Sequence, residues 1–501
     1  MQAYVYLLAS LYSFTANGSS DNDDKVISKT SEEEINVRPK NFGSRCIRII
    51  VNICLTYFIS MQKISGLFIP KLVIPKDSAP KHIEALSRSQ RLMNELGLVK
   101  AAGNGFFHIM PIAQRSLDKL CNLVNECMLE TGSSKITMPI LTPTELWQQS
   151  GRLHGDIEEF FIVKDRHNKK YLLSPTHEEA ITSILATTAP ISYKQLPLRL
   201  YQLGPKFRDE LKARFGLVRA KEFLMKDLYS FDRSDEEAQN SYKIITSSYA
   251  GLFKKLQLPF EKVDACTGIM GGKCSQEFQI VCPVGEDLFL RCQRCHYAFN
   301  VELAEGDAKC CLKCHSPDLE ELKGIEVAHT FLLGDRYTKP FNATYLDCDG
   351  KPKALIMGCY GLGVSRVLAA SLEVLSSEKG LVWPTLLAPY DICVIGPKDG
   401  SKEQELGDVI EKDICKKITE IYGCDDVVHD DRKYLTIGKR LWEAKRMGYP
   451  LIIVAGGKSA DNTPILELLV KNHHHELHVD TVLTEIHKYK DHKIALRKRC
   501  H

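Results

Sequence analysis

The stretch KFRDELKARFGLVRAKEF, residues 206–223, decides how this chain reads. Arg208 and Glu210 stand two apart, so a strand would place them on one face. A loop follows, and Arg219 and Phe223 return on its far side. Guanidinium groups, a carboxylate and an aromatic ring gathered by one hairpin are the parts of a nucleotide clamp. Arginine recognises phosphate in a planar, bidentate way that lysine does not. A phenylalanine ring offers a face on which a base can stack. The competing reading is an exposed hairpin laced with surface ion pairs.

Outward from the hairpin, GCYGLGVSRVLAA (358–370) sets Gly358, Gly361 and Gly363 ahead of Arg366 at the start of a predicted helix. Glycines admit a ligand close to the backbone, and Arg366 can complete the clamp. A dinucleotide fold is not indicated, because the glycine spacing is wrong and no βαβ unit surrounds it. Upstream, SSKITMPILTPTELWQQSGR (133–152) predicts a strand interrupted by Pro139 and Pro143, then a helix. Short strand signals fill residues 160–230 around a helix at THEEAITSILATT. Together they predict an α+β fold, a mostly antiparallel sheet flanked by helices. From WPTLLAPYDICVIGP (383–397) onward, strands and helices alternate, which predicts a separate, smaller α/β domain.

Charge is nearly balanced, with 66 Lys+Arg against 63 Asp+Glu, which excludes a polycationic nucleic-acid tail but not a local basic face. The 18 cysteines are scattered, which suits reduced thiols rather than a secreted disulfide framework. One cluster stands out: Cys292-x2-Cys295 followed by Cys311-x2-Cys314. That is the spacing of a four-thiolate structural zinc site, with a reduced cysteine-rich loop as the alternative. No apolar run approaches the ~20 residues of a membrane span. Residues 17–34 are acidic and Ser-rich, a composition that predicts disorder. MQKISGLFIPKLVIPK (61–76) is basic and acid-poor, as an organelle-targeting presequence is. Order is expected from about Lys81.

Taken in order, ITMPILTPTELWQQSGR, the 206–223 hairpin and the 358–370 segment resemble motifs 1, 2 and 3 of the class II aminoacyl-tRNA synthetases. TELWQQSGR (144–152), LLSPTHEEAIT (172–182), EFLMKDLYSF (222–231), GIEVAHTFLLG (324–334) and IMGCYGLGVSR (356–366) narrow the likeness to the prolyl-tRNA synthetases of bacterial or organellar type. The resemblance runs from about Lys81 to about Tyr489. It implies an ATP-dependent ligase that converts proline to prolyl-adenylate, with Mg2+ beside the ATP, and passes it to tRNA(Pro). It also implies a homodimer with motif 1 at the interface, no membrane association, and the mitochondrial matrix as the site of work. The implied organisation is an extension with a presequence over 1–80, a catalytic domain over 81–387 and an anticodon-binding domain over 388–501. The Cys-rich insert falls at about 290–316.

Carried over residue by residue, the resemblance assigns Thr176 and Glu178 to the imino group of proline. Asp227, Tyr229 and Ser275 would line the same pocket. The alternative for Thr176 and Glu178 is an N-capping arrangement for the helix that follows. Arg208 would bridge the prolyl carboxylate and the α-phosphate, Glu210 would orient the adenine, and Arg219 and Arg366 would hold the outer phosphates. Arg208, Glu210 and Arg366 are thus the catalytic set, with Phe223 stacking on the base and Gly361 and Gly363 beneath the nucleotide. In the C-terminal domain Asp431, Arg432, Lys439 and Arg440 would read anticodon bases. Three departures stand out. Lys212-Ala213-Arg214 replaces the usual Arg-Pro-Arg, Lys221 replaces an arginine, and Gln276 replaces a histidine. Residues 224–357 are too few for an editing insertion, so no editing in cis is expected. The rivals are a class II enzyme for threonine or histidine, and a non-catalytic paralogue acting as a tRNA- or nucleic-acid-binding subunit. Retention of Arg208 and Arg366 argues against the paralogue.

Overall fold

The strand-rich stretches within 198–231 and 319–363 form long strands at Leu198–Phe207, Glu222–Asp232, Leu319–Gly334 and Ile356–Gly363. The computed structural model describes residues 61–70, 87–153, 160–304, 309–456, 464–471 and 473–498. Strand β1 (Gln62–Lys63) belongs to a second sheet, taken up below. The main sheet has nine strands: β2 (Ser134–Lys135), β3 (Leu198–Phe207), β4 (Glu222–Asp232), β5 (Glu261–Ala265), β6 (Cys274–Val281), β7 (Asp287–Cys292), β8 (Ala298–Asn300), β9 (Leu319–Gly334) and β10 (Ile356–Gly363). Their order is β6-β5-β8-β7-β9-β10-β4-β3-β2, with β6 also paired to β9. Most pairings are antiparallel, as expected, and β5–β8 and β2–β3 are parallel. The interval thought too short for an editing insertion is occupied by a helix and by β5 to β9 of this sheet.

Helices α1 (Arg88–Glu95), α2 (Pro111–Glu130), α3 (Glu178–Thr187), α4 (Asp235–Lys255) and α5 (Val364–Leu375) flank the sheet. The ends of α4 are written in its sequence. Ser234 caps it by accepting from the Glu237 N–H, three acids fill its first turn and Lys254 and Lys255 its last. Leu117 and Leu120 of α2, Ile245 and Phe253 of α4 and Val367 of α5 share one core with Leu228 and Tyr360 of the sheet. The opposite face carries a second core that includes Met138, Ile181, Tyr229, Phe231 and Phe331. Because β4 alternates, Met225, Asp227 and Tyr229 face one side, while Lys226 and Leu228 face the helices.

Lys226 is therefore a lysine in the helix-covered core, with no exposed surface. Its ammonium donates to the Tyr249 hydroxyl and, at 3.1 Å, to the Tyr360 carbonyl, and no salt-bridge partner is found among the described residues. Burial pushes it from an ordinary 10.5 down to about 7, against the weaker pull of Asp227. The unfolded chain thus binds more protons than the folded one between about pH 7 and 10.5, so stability rises with pH across that window. Below the window the full penalty remains. Lys226→Met is expected to stabilise the protein by roughly 2–4 kcal/mol at pH 7, a gain that shrinks toward pH 10. Urea unfolding at a series of pH values checks both the sign and the window.

The second sheet has the order β1-β12-β11-β13-β14-β15, built from β11 (Ile392–Ile395), β12 (Val427–Asp430), β13 (Leu451–Val454), β14 (Ile465–Val470) and β15 (His473–His478). Its first three pairings are parallel and its last two antiparallel. With α6 (Gln404–Tyr422), α7 (Ile437–Met447) and α8 (Val479–Lys498) it makes the expected α/β unit. Its core includes Ile392, Val394, Ile414, Ile453 and Ile486.

One expectation is corrected here. The stretch thought to be disordered presequence begins as a folded edge strand, with Gln62 and Lys63 paired to Val428 and His429. Ile64 is buried, and Ser65 donates to the Asp431 carboxylate from both its N–H, at 3.0 Å, and its hydroxyl, at 2.6 Å. A few lysines set among apolar residues suit a short edge strand followed by a buried Ile64 as well as a presequence. The remaining extension, residues 1–60 and 71–80, lies outside the described residues.

Candidate active site

A cavity of about 760 Å3 opens on the face of β4, β9 and β10 that the large helices leave free. Thr176, Glu178, Arg208, Glu210, Arg219, Phe223, Asp227, Gly361, Gly363 and Arg366 all line it, so segments 190 residues apart in the sequence converge as expected.

At one end a carboxylate is prepared for a cation. Glu178 opens α3 and is fully buried. Its oxygens accept from the Thr176 hydroxyl at 2.6 Å, the Cys359 thiol at 2.8 Å and Arg152 at 3.2 Å. The capping alternative fails: the N-cap residue is His177, it makes no side-chain cap, and the Thr176 hydroxyl is committed to Glu178. Burial, reinforced by the charge of Glu178, pushes the Cys359 thiol well above its usual range, so it stays a donor. Burial would lower Arg152, but Glu179 and Glu178 outweigh it and hold the guanidinium charged. Arg152 lies 4.5 Å from the Trp147 ring centre and reaches Glu179 at 3.3 Å. Two carboxylates share one guanidinium, which leaves a place for an ammonium group.

Asp227 and Tyr229 support this loop. The Tyr229 hydroxyl donates to Asp227 at 2.8 Å and accepts from the His177 N–H at 2.9 Å. Asp227 also accepts from Gln202 at 3.0 Å and lies 2.8 Å from the Lys206 ammonium. Burial, with Asp227 adding to it, keeps the Tyr229 phenol far above its usual range, so it remains a donor. Asp227 reaches the cavity wall, whereas Tyr229 stands behind it. Ser275 does not reach the wall, because its hydroxyl donates to the carbonyls of Ala265 and Cys266 at 3.0 and 3.1 Å. It joins β6 to β5.

The other end is built for anions. Arg208 sits 5.3 Å over the Phe223 ring, and burial together with the charge of Arg366 pushes its guanidinium below the usual range. Such a group gains from an incoming phosphate. Arg366, on the first turn of α5, is oriented by the carbonyls of Val218 at 2.7 Å and Glu326 at 2.9 Å. Glu210 accepts from Arg219 at 2.9 Å, and Arg219 also pairs with Glu286. Sequence reasoning did not find Glu326 and His329, which line the cavity, or Glu277 beside them. Their ligand atoms lie within 4.8 Å of one another, and His329 stands 3.0 Å from Glu326. Burial would raise Glu326, but the hydrogen bond and charge of His329, then Arg366 and Arg208, hold it low. Burial and the charge of Glu326 push Glu277 up to about 7. Two carboxylates beside an anion site suit a hard cation such as Mg2+.

Comparison with known proteins decides the family. Residues 161–375 match the model of the tRNA synthetase class II core domain (G, H, P, S and T). A human protein named "Probable proline–tRNA ligase, mitochondrial" is 45% identical over 388 residues, covering 77% of this chain and 81% of its own. The chain belongs to the prolyl-tRNA synthetase family. A "Proline–tRNA ligase" of Ehrlichia chaffeensis is 37% identical over 390 residues, covering 74% and 88% of the two chains. A solved Giardia lamblia prolyl-tRNA synthetase in complex with prolyl-adenylate shares the fold, with a TM-score of 0.68 at 20% identity over 83% and 82% of the chains.

The C-terminal residues expected to read bases are differently engaged. Arg440 is completely buried and donates to the carbonyls of Gly396 at 2.7 Å and Asp430 at 3.1 Å. Arg432 forms a fork on Asp430, at 2.8 and 2.7 Å, and reaches Glu443 at 2.7 Å. Asp431 holds Ser65. Only Lys439 of the four is exposed, 4.5 Å from the Trp442 ring centre. Arg440→Met is therefore expected to destabilise by roughly 3 kcal/mol, since it strands three buried carbonyls, and to leave tRNA affinity unchanged at temperatures where it is folded. Chemical unfolding beside a tRNA-binding titration separates those effects.

Proposed function

We propose that this chain is a proline–tRNA ligase of the mitochondrial matrix. The observation that carries the reading is one cavity with a cation-seeking carboxylate, Glu178, at one end and a guanidinium pair, Arg208 and Arg366, at the other. Proline fits between them, its ammonium on Glu178 and its carboxylate toward Arg208. A carboxylate oxygen attacks the α-phosphorus of ATP, the bond to the bridging oxygen of pyrophosphate breaks, and pyrophosphate leaves. The terminal ribose hydroxyl of tRNA(Pro) then attacks the prolyl carbonyl, and AMP leaves. Positioning and charge carry such a step, and no protein nucleophile is needed. Phe223 would supply the stacking face, and Glu326 and Glu277 would hold Mg2+, which would supply positive charge to screen the phosphates of ATP. Four thiolates, Cys292, Cys295, Cys311 and Cys314, would hold a structural zinc.

The names of the human and other mitochondrial relatives support the location. A homodimer is supported by exposed Leu141, Ile162 and Val163 on the small sheet next to Thr144–Gln149, within the motif 1 region. Pyrophosphate exchange with the purified chain, supplied in turn with proline, alanine, threonine and histidine, tests the reading. Exchange with proline above all others, followed by charging of tRNA(Pro), is the expected result. No exchange from a folded protein would leave the non-catalytic paralogue.

A further inference from the structure

Five strands of the main sheet close on themselves. β9 pairs with both β6 and β7, β6 with β5, β5 with β8, and β8 with β7. The ring has a very small core of its own, Val263, Phe289 and Ala298 with Val281 and Leu322 packed on it. So few apolar groups hold a structure weakly without a staple. The four cysteines stand where a staple would act. Cys292 ends β7, Cys295 lies just before β8, and Cys314 lies just before β9. Their sulfurs are all within 4.8 Å of one another, with Cys292 and Cys314 3.5 Å apart and Cys295 and Cys311 3.6 Å apart. Sulfurs 2.3 Å from a tetrahedral zinc stand about 3.8 Å apart. The two Cys-x2-Cys turns repeat one geometry: the N–H of His296 donates to the Cys292 carbonyl and that of His315 to the Cys311 carbonyl, each at 2.9 Å. Both histidines are in the left-handed region, at φ 56° and 59°. The Lys313 N–H donates to the Cys311 sulfur at 3.4 Å, as a thiolate favours.

From this cluster a chain of polar contacts crosses the ring. The Tyr297 hydroxyl donates to Asp264 at 2.6 Å, and the Gln276 amide donates to the other oxygen of Asp264 at 2.6 Å. The Thr330 hydroxyl donates to the Gln276 carbonyl at 3.1 Å. Thr330 lies between His329 and Phe331, both on the cavity wall. Gln276, the departure from the family's histidine, is thus turned away from the cavity and joins β6 to β5. The β6–β9 seam it helps to hold sets Glu277 directly opposite His329. We infer that the four thiolates bind one zinc ion that keeps this ring closed, and that Tyr297 and Gln276 are positioning residues that transmit its hold to the Mg2+–ATP end of the site. The proline end, built on α3 and Arg152, stands outside the ring.

The inference rests on the proposed activity only for naming the nucleotide, so its test uses binding. Zinc content of the full chain is measured by mass spectrometry, and affinities for proline and for Mg2+ with a non-hydrolysable ATP analogue by calorimetry. The wild type should carry one zinc per chain, and Cys311→Ser/Cys314→Ser none. The variant should bind the analogue about tenfold more weakly and proline unchanged, in line with the effect of losing an outer support of a site. Tyr297→Phe should keep its zinc and still weaken the analogue severalfold, which decides the matter if the cysteine variant does not fold. A folded wild type without zinc overturns the site. Unchanged analogue binding in Tyr297→Phe, or an equal loss of proline and analogue, overturns the bracing. A wild type that binds both ligands but exchanges no pyrophosphate would sink the proposed reaction alone.

Discussion

Arg208→Ala should lower proline-dependent pyrophosphate exchange by about a thousandfold or more while the protein remains folded. Arg208 leaves β3 where its N–H is fixed to the Lys221 carbonyl at 2.9 Å, and its guanidinium rests on Phe223. Among the described residues its charge is satisfied only in part: burial and Arg366 both disfavour it, and Glu326, Glu210 and Glu178 do not fully compensate. The missing partner is the negative charge that accumulates on the α-phosphate and the attacking carboxylate. Fixed donors aimed at developing charge are worth about 100- to 1000-fold each, and this group would touch both reactants. Because that contact strengthens in the transition state, the loss should fall on kcat more than on KM. Arg208→Lys should recover little, since it keeps the charge and loses the planar fork. Exchange within tenfold of wild type in Arg208→Ala would place the clamp elsewhere.

The parts of this architecture that are local in sequence were legible in it. Alternation made β4 a strand and set Asp227 and Met225 on one face of it, and Ser234 with three acids fixed the start of α4. Where partners are distant, the pattern was silent. Cys359 and Arg152 complete the Glu178 subsite from 181 and 26 positions away, and the glycines around Cys359 drew the reading to the nucleotide instead. Ring closure depends on β9 serving two partner strands, and Gly324 pairs with both Asp287 and Val281. A Cβ there would meet the end of the Gln279 side chain at 2.6 Å and the Phe289 ring at 3.0 Å, so a larger residue would have to displace them, but one glycine does not announce a ring. Arg440 failed for another reason. It shares a stripe with Ala444 and Met447, an inward helix face by spacing, and its charge suggested the opposite. The edge strand at Gln62 was hidden for the same reason as Cys359: its anchor, Asp431, is 366 residues on from Ser65.

The second large effect expected is selective. Glu178→Gln should raise KM for proline about 100-fold or more and leave KM for ATP within a few-fold of wild type. The substitution keeps shape and removes the charge that a secondary ammonium needs from a carboxylate with no exposed surface. Breaking one partner of a buried ion pair costs roughly 3–5 kcal/mol, which corresponds to about two to three and a half orders of magnitude in affinity. The donors around Glu178 make the loss larger rather than smaller. Arg152 and the Cys359 thiol both point at its oxygens, and an amide can accept on one side only. Arg152 would retain Glu179, so the loop should stay folded. Arg152→Met should then act through Glu178, raising KM for proline less than Glu178→Gln does, and the double variant should fall short of the sum. Steady-state exchange at varied proline and varied ATP measures all three. If the two KM values rise together in Glu178→Gln, the carboxylate holds the cavity's shape and not its amino acid.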